Sequence, residues 1–421
     1  MKSESSKPKV LVTDACRGAA VATIRTLARN GYQVIAADRE KTSPGLASRF
    51  ATHRVVYACP TSNPQQFIED ILAAVERYQI DMIVPVTEQA VLPLEFARAR
   101  IQEVCKVPWA PTEAMATVRD KHRTFELAEQ LGVPYPRTRM VHTTEEALQH
   151  GPDLGWPLVL KPNSSHTLRD DRPVQVWSVA YAHSEQELRE KMRPFEGQCP
   201  VLLQEYFQGA GVGVEVLAYE GNVLCAFQHR RLREVPLTGG ASSLRRSEPL
   251  NPVLYEHTLE LIKALKWTGL AMAEFKWNER GECRLMEING RIWGSLPVAI
   301  AAGVDFPTRL CDLVLNGPPA DVGEVDTTYR TGMHVQSFQK ELSWIIRVLR
   351  GAGQHPVMQM PRRRAAVGAM VDLLKPHYRF DILSLSDPMP GIRMLRNFAA
   401  LATKPLRSRF RRSAAQPKSG T

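Results

Sequence analysis

Residues 269–307 read GLAMAEFKWNERGECRLMEINGRIWGSLPVAIAAGVDFP. The pattern predicts two long strands, from Gly269 and from Cys283, joined by a turn at Glu279-Arg280-Gly281. Residues two apart on a strand face the same side, so Glu287 and Asn289 project together. An antiparallel neighbour brings Glu274 onto that face. Two carboxylates and an amide oxygen make a hard oxygen cage suited to Mg²⁺, with room left for phosphate oxygens. Arg291 continues the alternation and sets a cation beside the cage. The competing reading is an exposed sheet face with ordinary polar residues. Against it, Met272, Phe275, Leu285, Met286 and Ile288 flank these positions, which places the polar face in a packed sheet. The helix expected in WGSLPVAIAAGVDFP packs behind it.

Upstream, two lysines could face a polyphosphate. Lys161 ends the strand PLVLKP before a polar loop with Ser164, Ser165 and His166, and Lys121 opens a helix after Arg119-Asp120. A lysine is a compact point charge that tolerates moving phosphates. Taken singly, each reads more readily as a solvated surface charge. VLLQEYFQG, ending at Gly209, is an apolar strand entering a Gln-Glu-aromatic turn. It suits an adenine ring as well as it suits an ordinary strand end. In HRRLREVPLTGGASS, from His229, Arg230, Arg231 and Arg233 precede Gly239-Gly240. Guanidinium groups bind carboxylate or phosphoryl groups in two-pronged fashion, so these arginines are expected at the site rather than on a solvated hairpin. Arg245 and Arg246 are weaker candidates of the same kind.

Other chemistries lack their marks. No GxxxxGK[ST] phosphate loop occurs, and no GxSxG turn offers a serine nucleophile. His122, His166 and His229 do not form a metal-ligand spacing, and Cys16 and Cys225 have no visible base. The first hundred residues alternate strand-like runs (KVLVTDA, QVIAADR, HRVVYA, DMIVPVT) with amphipathic helices, which indicates a doubly wound parallel sheet. Asp38 closes the second strand, where an acid can bind a ribose. The first turn, however, holds only Gly18 rather than three glycines, so a structural Rossmann-like unit fits better than a dinucleotide site.

Composition sets the frame. The 421 residues are 44% hydrophobic and 23% charged, an ordinary globular balance. Residues 1–350 hold 41 basic and 41 acidic side chains, whereas residues 351–421 hold 13 and 3. The main body therefore has no electrostatic footprint for nucleic acid, and no nucleic-acid partner is expected. Seven cysteines lie far apart with no CxxC pair, which argues against both a disulfide framework and a cysteine zinc site. No stretch approaches 18 uncharged apolar residues, and MKSESSKPKVLVTD lacks the apolar core of a signal peptide. A cytoplasmic location is expected.

Taken in order, Lys121, Lys161, QEYFQG, AEFKW and MEINGRIWGSLPVAIAAGVDFP resemble the ATP-grasp superfamily. The likeness is to carboxylate–amine ligases allied to the carbamoyl-phosphate synthase large chain and biotin carboxylase, over roughly Lys9 to Pro319. The resemblance implies a mixed α/β and α+β chain: a Rossmann-like pre-ATP-grasp domain over 1–112, then a two-subdomain ATP-grasp fold over 113–328. The first subdomain, with a central lid, covers about 113–200 and the second about 201–328. A partly helical extension would follow over 329–407, and a basic disordered tail over 408–421.

The resemblance also implies roles. Lys121 and Lys161 would hold ATP phosphates, and Gln204, Glu205, Tyr206 and Phe207 would form the adenine hinge. Glu215 would be a ribose-binding acid. Glu274, Glu287 and Asn289 would bind Mg²⁺ or Mn²⁺, and Arg291 would contact the transferred phosphate, with Arg231 and Arg233 nearby. Asn163 to Pro173 would be a closing loop, although it lacks the usual glycines. The implied activity joins a small-molecule carboxylate to an amine through an acyl phosphate. Bicarbonate activation and a non-catalytic nucleotide-binding module are the alternatives. A homodimer stays open, as does weak contact of the basic tail with an anionic membrane. From Pro388, Ile392, Leu395, Phe398, Ala399 and Leu401 fall near helical spacing, and that face is expected to dock on the protein.

Overall fold

The computed structural model describes residues 7–164, 166–167, 175–237, 239–320, 322, 324–351 and 360–413, with side chains described up to 400. The N-terminal unit runs β1 (Lys9–Val12), α1 (Gly18–Arg29), β2 (Gln33–Asp38), β3 (His53–Val56), α2 (Pro64–Tyr78), β4 (Met82–Val84), α3 (Glu88–Phe96) and α4 (Arg98–Gln102). Its four strands are parallel in the order β3-β2-β1-β4, the Rossmann-like arrangement expected. Strands β1, β2 and β4 are mostly apolar and buried because both faces are covered, whereas the edge strand β3 (HRVV) is largely exposed.

The turn after β1 is filled from within the protein. Asp38 accepts from the Cys16 backbone N–H (2.7 Å), the Glu40 N–H (2.9 Å) and the Ser43 hydroxyl (3.1 Å). At the start of α1, where a pyrophosphate would sit in a dinucleotide site, stands the carboxylate of Asp381. A Cβ on Gly18 would lie 2.7 Å from its Oδ2, so only glycine admits it. The single glycine that looked like a fragment of a nucleotide motif serves a close intramolecular approach.

The next layer comprises α5 (Thr112–Arg119), α6 (Lys121–Gln130), β5 (Thr138–Val141), α7 (Thr144–Leu154), β6 (Leu158–Pro162), β7 (His166–Thr167), β8 (Gln175–Val176), β9 (Ala180–Ala182), α8 (Glu185–Met192) and β10 (Val201–Glu205). Strands β5-β10-β6-β9 form an antiparallel sheet whose inner face packs on α7 and α8 through Leu158, Leu160, Leu188 and Leu203. Most of the expected lid, Ser165 and Leu168 to Pro173, lies outside the described residues.

The remainder runs β11 (Ala210–Tyr219), β12 (Asn222–Val235), β13 (Ala241–Glu248), α9 (Pro252–Ala264), β14 (Gly269–Trp277), β15 (Cys283–Asn289), α10 (Leu296–Ala302) and α11 (Phe306–Asn316). It continues with β16 (His334–Gln336), α12 (Phe338–Arg350), α13 (Arg364–Leu373), β17 (Arg379–Phe380) and α14 (Pro388–Ser413). Seven strands form one sheet, β15-β14-β11-β12-β13-β16-β17. Beyond residue 328, β16 pairs with β13 and β17 with β16, so this part of the chain continues the sheet. One face of the sheet packs on α9 around Trp267 and Phe275. On the other face, Leu217, Phe227 and Met272 share a core with α10, α11, β1 and α1.

The last helix docks, but on a different face from the expected one. Pro390, Gly391 and Met394 are buried, with Met394 against Val21 and Ile382, while Ile392 and Leu395 are each 40% exposed. At Gly391 the helix passes close to Leu383, whose Cδ2 would lie 2.7 Å from an added Cβ. Asn397 donates to the Thr42 carbonyl at 2.9 Å. The helix also runs through Ser413, past the disorder expected from 408, consistent with the helix propensity of its Arg and Leu residues. Residues 414–421 of that tail lie outside the described residues. Truncation before Pro388 removes the buried Met394. It is expected to cost at least about 2–5 kcal/mol, read as a lower thermal midpoint.

Candidate active site

The two subdomains and α12 enclose a cavity of about 710 Å³, of a size to hold a nucleotide. Its lysines are brought together by a local device. Asp120 caps α6 by accepting from the Arg123 N–H (3.0 Å) and also accepts from the Asn163 side-chain amide (2.9 Å). The Lys121 N–H in turn donates to the Asn163 carbonyl (3.2 Å). The end of β6 is thereby tied to the start of α6, and Lys161 and Lys121 enter one cavity. The predicted adenine wall lines the same space. Gln204 donates to Thr138 Oγ1 (2.8 Å), and Glu205 accepts from the Arg137 backbone N–H (3.0 Å) and its Nε (2.6 Å). With these side chains engaged, the turn presents backbone groups and two rings, Tyr206 beside Tyr181 and Phe207 beneath Arg284.

Strands β14 and β15 deliver the acidic group as a cross-strand pair. Glu274 stands directly opposite Glu287, and Met272 opposite Asn289. A register shift between Glu274 and Phe275 leaves Met286 unpaired, and Met286 lines the cavity beside Glu287. The Asn289 amide donates to Glu287 Oε1 at 3.0 Å, which leaves its carbonyl oxygen available. Among the described residues no three His, Cys, Asp or Glu side chains form a ready metal cluster. Two carboxylates plus one amide oxygen nonetheless fit Mg²⁺, which commonly takes one or two carboxylates and fills its shell with phosphate oxygens and water.

The charges are tightly balanced. Burial pushes Glu274 upward, and the charge of Glu287 adds to that, against bidentate contact with Arg231. Burial also acts on Glu287, but Lys121, Asn289, Arg291 and Lys161 outweigh it and hold Glu287 below the usual carboxylate range. Burial lowers Lys161 to about 8, even with Glu287 near. Lys161 therefore carries its charge below that pH and loses it above. If Lys161 grips phosphate, Mg-ADP affinity falls as pH rises through about 8, by up to about tenfold per pH unit. Titration calorimetry on the parent chain and on Lys161→Met is expected to show this fall only in the parent.

Not every predicted residue arrives. Arg231 lines the cavity, but Arg233 points away and pairs with Glu341 and Asp372. Two register irregularities in β12, around Arg231 and Arg233, break the alternation that would have kept them on one face. Arg230 and Arg246 both pair with Glu248. Glu215 is wholly buried, 2.5 Å from His229 Nδ1, and does not line the cavity. Burial pushes Glu215 up and His229 down, so both are held uncharged. Glu215 fails as a ribose ligand because it lies on the part of the sheet that packs under other elements.

Three contributors went unread in the sequence. Glu88, at the start of α3, pairs with both Arg291 (3.3 Å) and Arg119 (3.4 Å) and so connects the N-terminal unit to the site. Lys276 and, from α12, Lys340 also line the cavity. Strand alternation from Glu274 could have found Lys276, whereas nothing local marks Glu88 or Lys340. A smaller cavity of about 220 Å³ adjoins the first and shares Lys121, Glu287, Asn289 and Arg291 with it.

Comparison with known proteins finds partial likenesses. Residues 198–340 match a family described as ATP-grasp in the biosynthetic pathway with Ter operon. That match covers about a third of the chain and is to an ATP-grasp family. The carbamoyl phosphate synthase large chain of Gemmatimonas aurantiaca is 24% identical over 314 residues, 72% of this chain and 27% of that one. The Thermus thermophilus large chain is 27% identical over 59% of this chain and 24% of its own length. The present chain thus spans about a quarter of these relatives. Among solved structures, biotin carboxylase of Campylobacter jejuni superposes with a TM-score of 0.62 at 20% identity, over 77% of this chain and 74% of that one. N5-carboxyaminoimidazole synthetase of Staphylococcus aureus gives 0.58 at 13%, over 78% and 80%. L-amino acid ligase of Bacillus licheniformis gives 0.56 at 16%, over 74% and 75%. The architecture is a Rossmann-like domain followed by a two-subdomain ATP-grasp fold. Among the described residues no helix is long and apolar enough to cross a membrane.

Proposed function

We propose that this protein is an ATP- and Mg²⁺-dependent ligase that activates a substrate carboxylate as an acyl phosphate and joins it to an amine. The observation that carries the reading is one cavity holding Lys121 and Lys161, the pair Glu274 and Glu287 with Asn289, Arg291, and the wall from Gln204 to Phe207. The two lysines grip phosphate oxygens, and the backbone and rings at Tyr206 and Phe207 hold the base. Glu274, Glu287 and Asn289 would hold Mg²⁺ or Mn²⁺, which neutralises phosphate charge when bound. Arg291, steadied by Glu88, keeps a guanidinium beside that position and orients the attacking carboxylate. Arg231 restrains Glu274. The chain's work is mostly positioning and charge stabilisation. The names of its relatives, which include synthases, carboxylases and an amino acid ligase, agree with carboxylate activation in general.

Phosphate release from Mg-ATP, measured across carboxylates (bicarbonate included) with and without amines, tests this. Release that depends on one carboxylate and one amine together is the expected result. Release with bicarbonate alone would move the protein to the carboxylase-like reading. Tight nucleotide binding with no release under any pairing would leave a non-catalytic module.

A further inference from the structure

The α12 wall of the cavity carries Lys340, and the surroundings of that residue are strongly cationic. Arg245, Arg17 and Arg231 all bear on its ammonium group, with Asp381 as the opposing carboxylate. Arg231 is already matched by Glu274 and Glu234. Glu341, the other carboxylate within range of Arg245, is taken by Arg233. Lys340 and the buried Arg245, with the exposed Arg17 at the edge, are thus left facing Asp381. Its Oδ2 is 3.7 Å from Arg245 Nη2, and among the described residues neither Lys340 nor Arg17 forms an ion pair. Arg245 is 1% exposed, and its Nε and Nη2 make no hydrogen bond among the described residues. Burial among these cations lowers Lys340 to about 8. Positive charge held in excess of its one counter-charge, Asp381, is costly where it is buried, and an anion entering the cavity lowers that cost.

We propose that Lys340, backed by Arg245, binds a second anionic group of the substrate, a carboxylate or phosphate distinct from the carboxylate being activated. The substrate is then a dianionic acid rather than a simple monocarboxylate or bicarbonate. This rests on the ligase reading above. Lys340 belongs to α12, the element that follows the sheet strand β16, so the C-terminal part of the chain selects the substrate while the hairpin β14–β15 supports the chemistry.

The test titrates the full chain by calorimetry, first with Mg²⁺ and a non-hydrolysable ATP analogue, then with butyrate, glutarate or 3-phosphoglycerate. Glutarate or 3-phosphoglycerate is expected to bind about ten- to a hundredfold tighter than butyrate, the worth of one charge-assisted hydrogen bond. Which of the two wins identifies the group as carboxylate or phosphate. Lys340→Met is expected to erase the preference and Lys340→Arg to keep it. The proposal is overturned if the parent chain shows no preference, or if Lys340→Met retains it. It is equally overturned if Lys340→Met weakens the ATP analogue instead, since Lys340 would then serve the nucleotide. Failure of the analogue to bind the parent chain would sink the ligase reading alone. The glutarate and butyrate comparison on the unloaded chain then still decides the role of Lys340.

Discussion

Glu287→Gln is expected to lower carboxylate-dependent phosphate release by at least about a hundredfold while the protein stays folded, because a bound metal supplies several kcal/mol of charge stabilisation. The substitution keeps size and hydrogen-bonding shape, including the contact with the Asn289 amide, but removes one carboxylate of the cross-strand pair Glu274–Glu287. It also removes the negative charge that Lys121, Lys161 and Arg291 share, so the cavity becomes more cationic. Nucleotide binding without metal is therefore expected to persist. Circular dichroism and thermal unfolding check the fold, and a phosphate-release assay over a Mg²⁺ series checks turnover. Turnover at the parent rate across the whole series would show that the pair Glu274–Glu287 is not the metal site.

Asp387→Ala is expected to destabilise the protein by about 3–5 kcal/mol, the range for breaking a buried ion pair by removing one partner. Asp387 is 1% exposed and accepts from Arg25 Nε (2.9 Å), the Ser48 hydroxyl (2.7 Å) and the Arg49 backbone N–H (3.0 Å). Arg25 spends its Nη2 on the Ile382 and Asp387 carbonyls at 2.8 and 3.1 Å. Removing the carboxylate leaves a buried guanidinium without its counter-charge at the seam between α1 and the C-terminal segment. The exposed pair Arg39–Glu40 is the control, and Glu40→Gln is expected to change the unfolding midpoint little. Equal midpoints for the two variants would mean that the C-terminal segment does not stabilise the N-terminal unit.

These two residues mark different degrees of legibility. Glu287 could be read from its neighbours, because strand alternation is a local rule and MEINGR obeys it up to the Asn289 carbonyl. Asp387 could not, since its partners lie more than 330 residues away in the chain. The same contrast runs through the arginine hairpin. Guanidinium chemistry put both Arg231 and Arg233 at the site, and the irregular register of β12 separated them. Glu215 was placed at the site by the family resemblance alone, and neither resemblance nor strand pattern tells what covers a side chain.

From the sequence alone came the parallel N-terminal sheet, the β14–β15 hairpin and its carboxylates, the two lysines, and the Gln204 to Phe207 turn. The sheet and the hairpin rest on period-two or helical spacing and on turn residues within a few positions, whereas the roles of the lysines and of the turn were implied by the family resemblance. Only the tertiary structure decided that β16 and β17 complete the main sheet, that Asp381 occupies the α1 N-terminus beside Gly18, that Glu88 pairs with Arg291 and that Lys340 reaches the cavity. Each of these joins residues distant in the chain through packing and charge. Such pairings leave no periodic trace, because chain folding sets them and local backbone geometry does not.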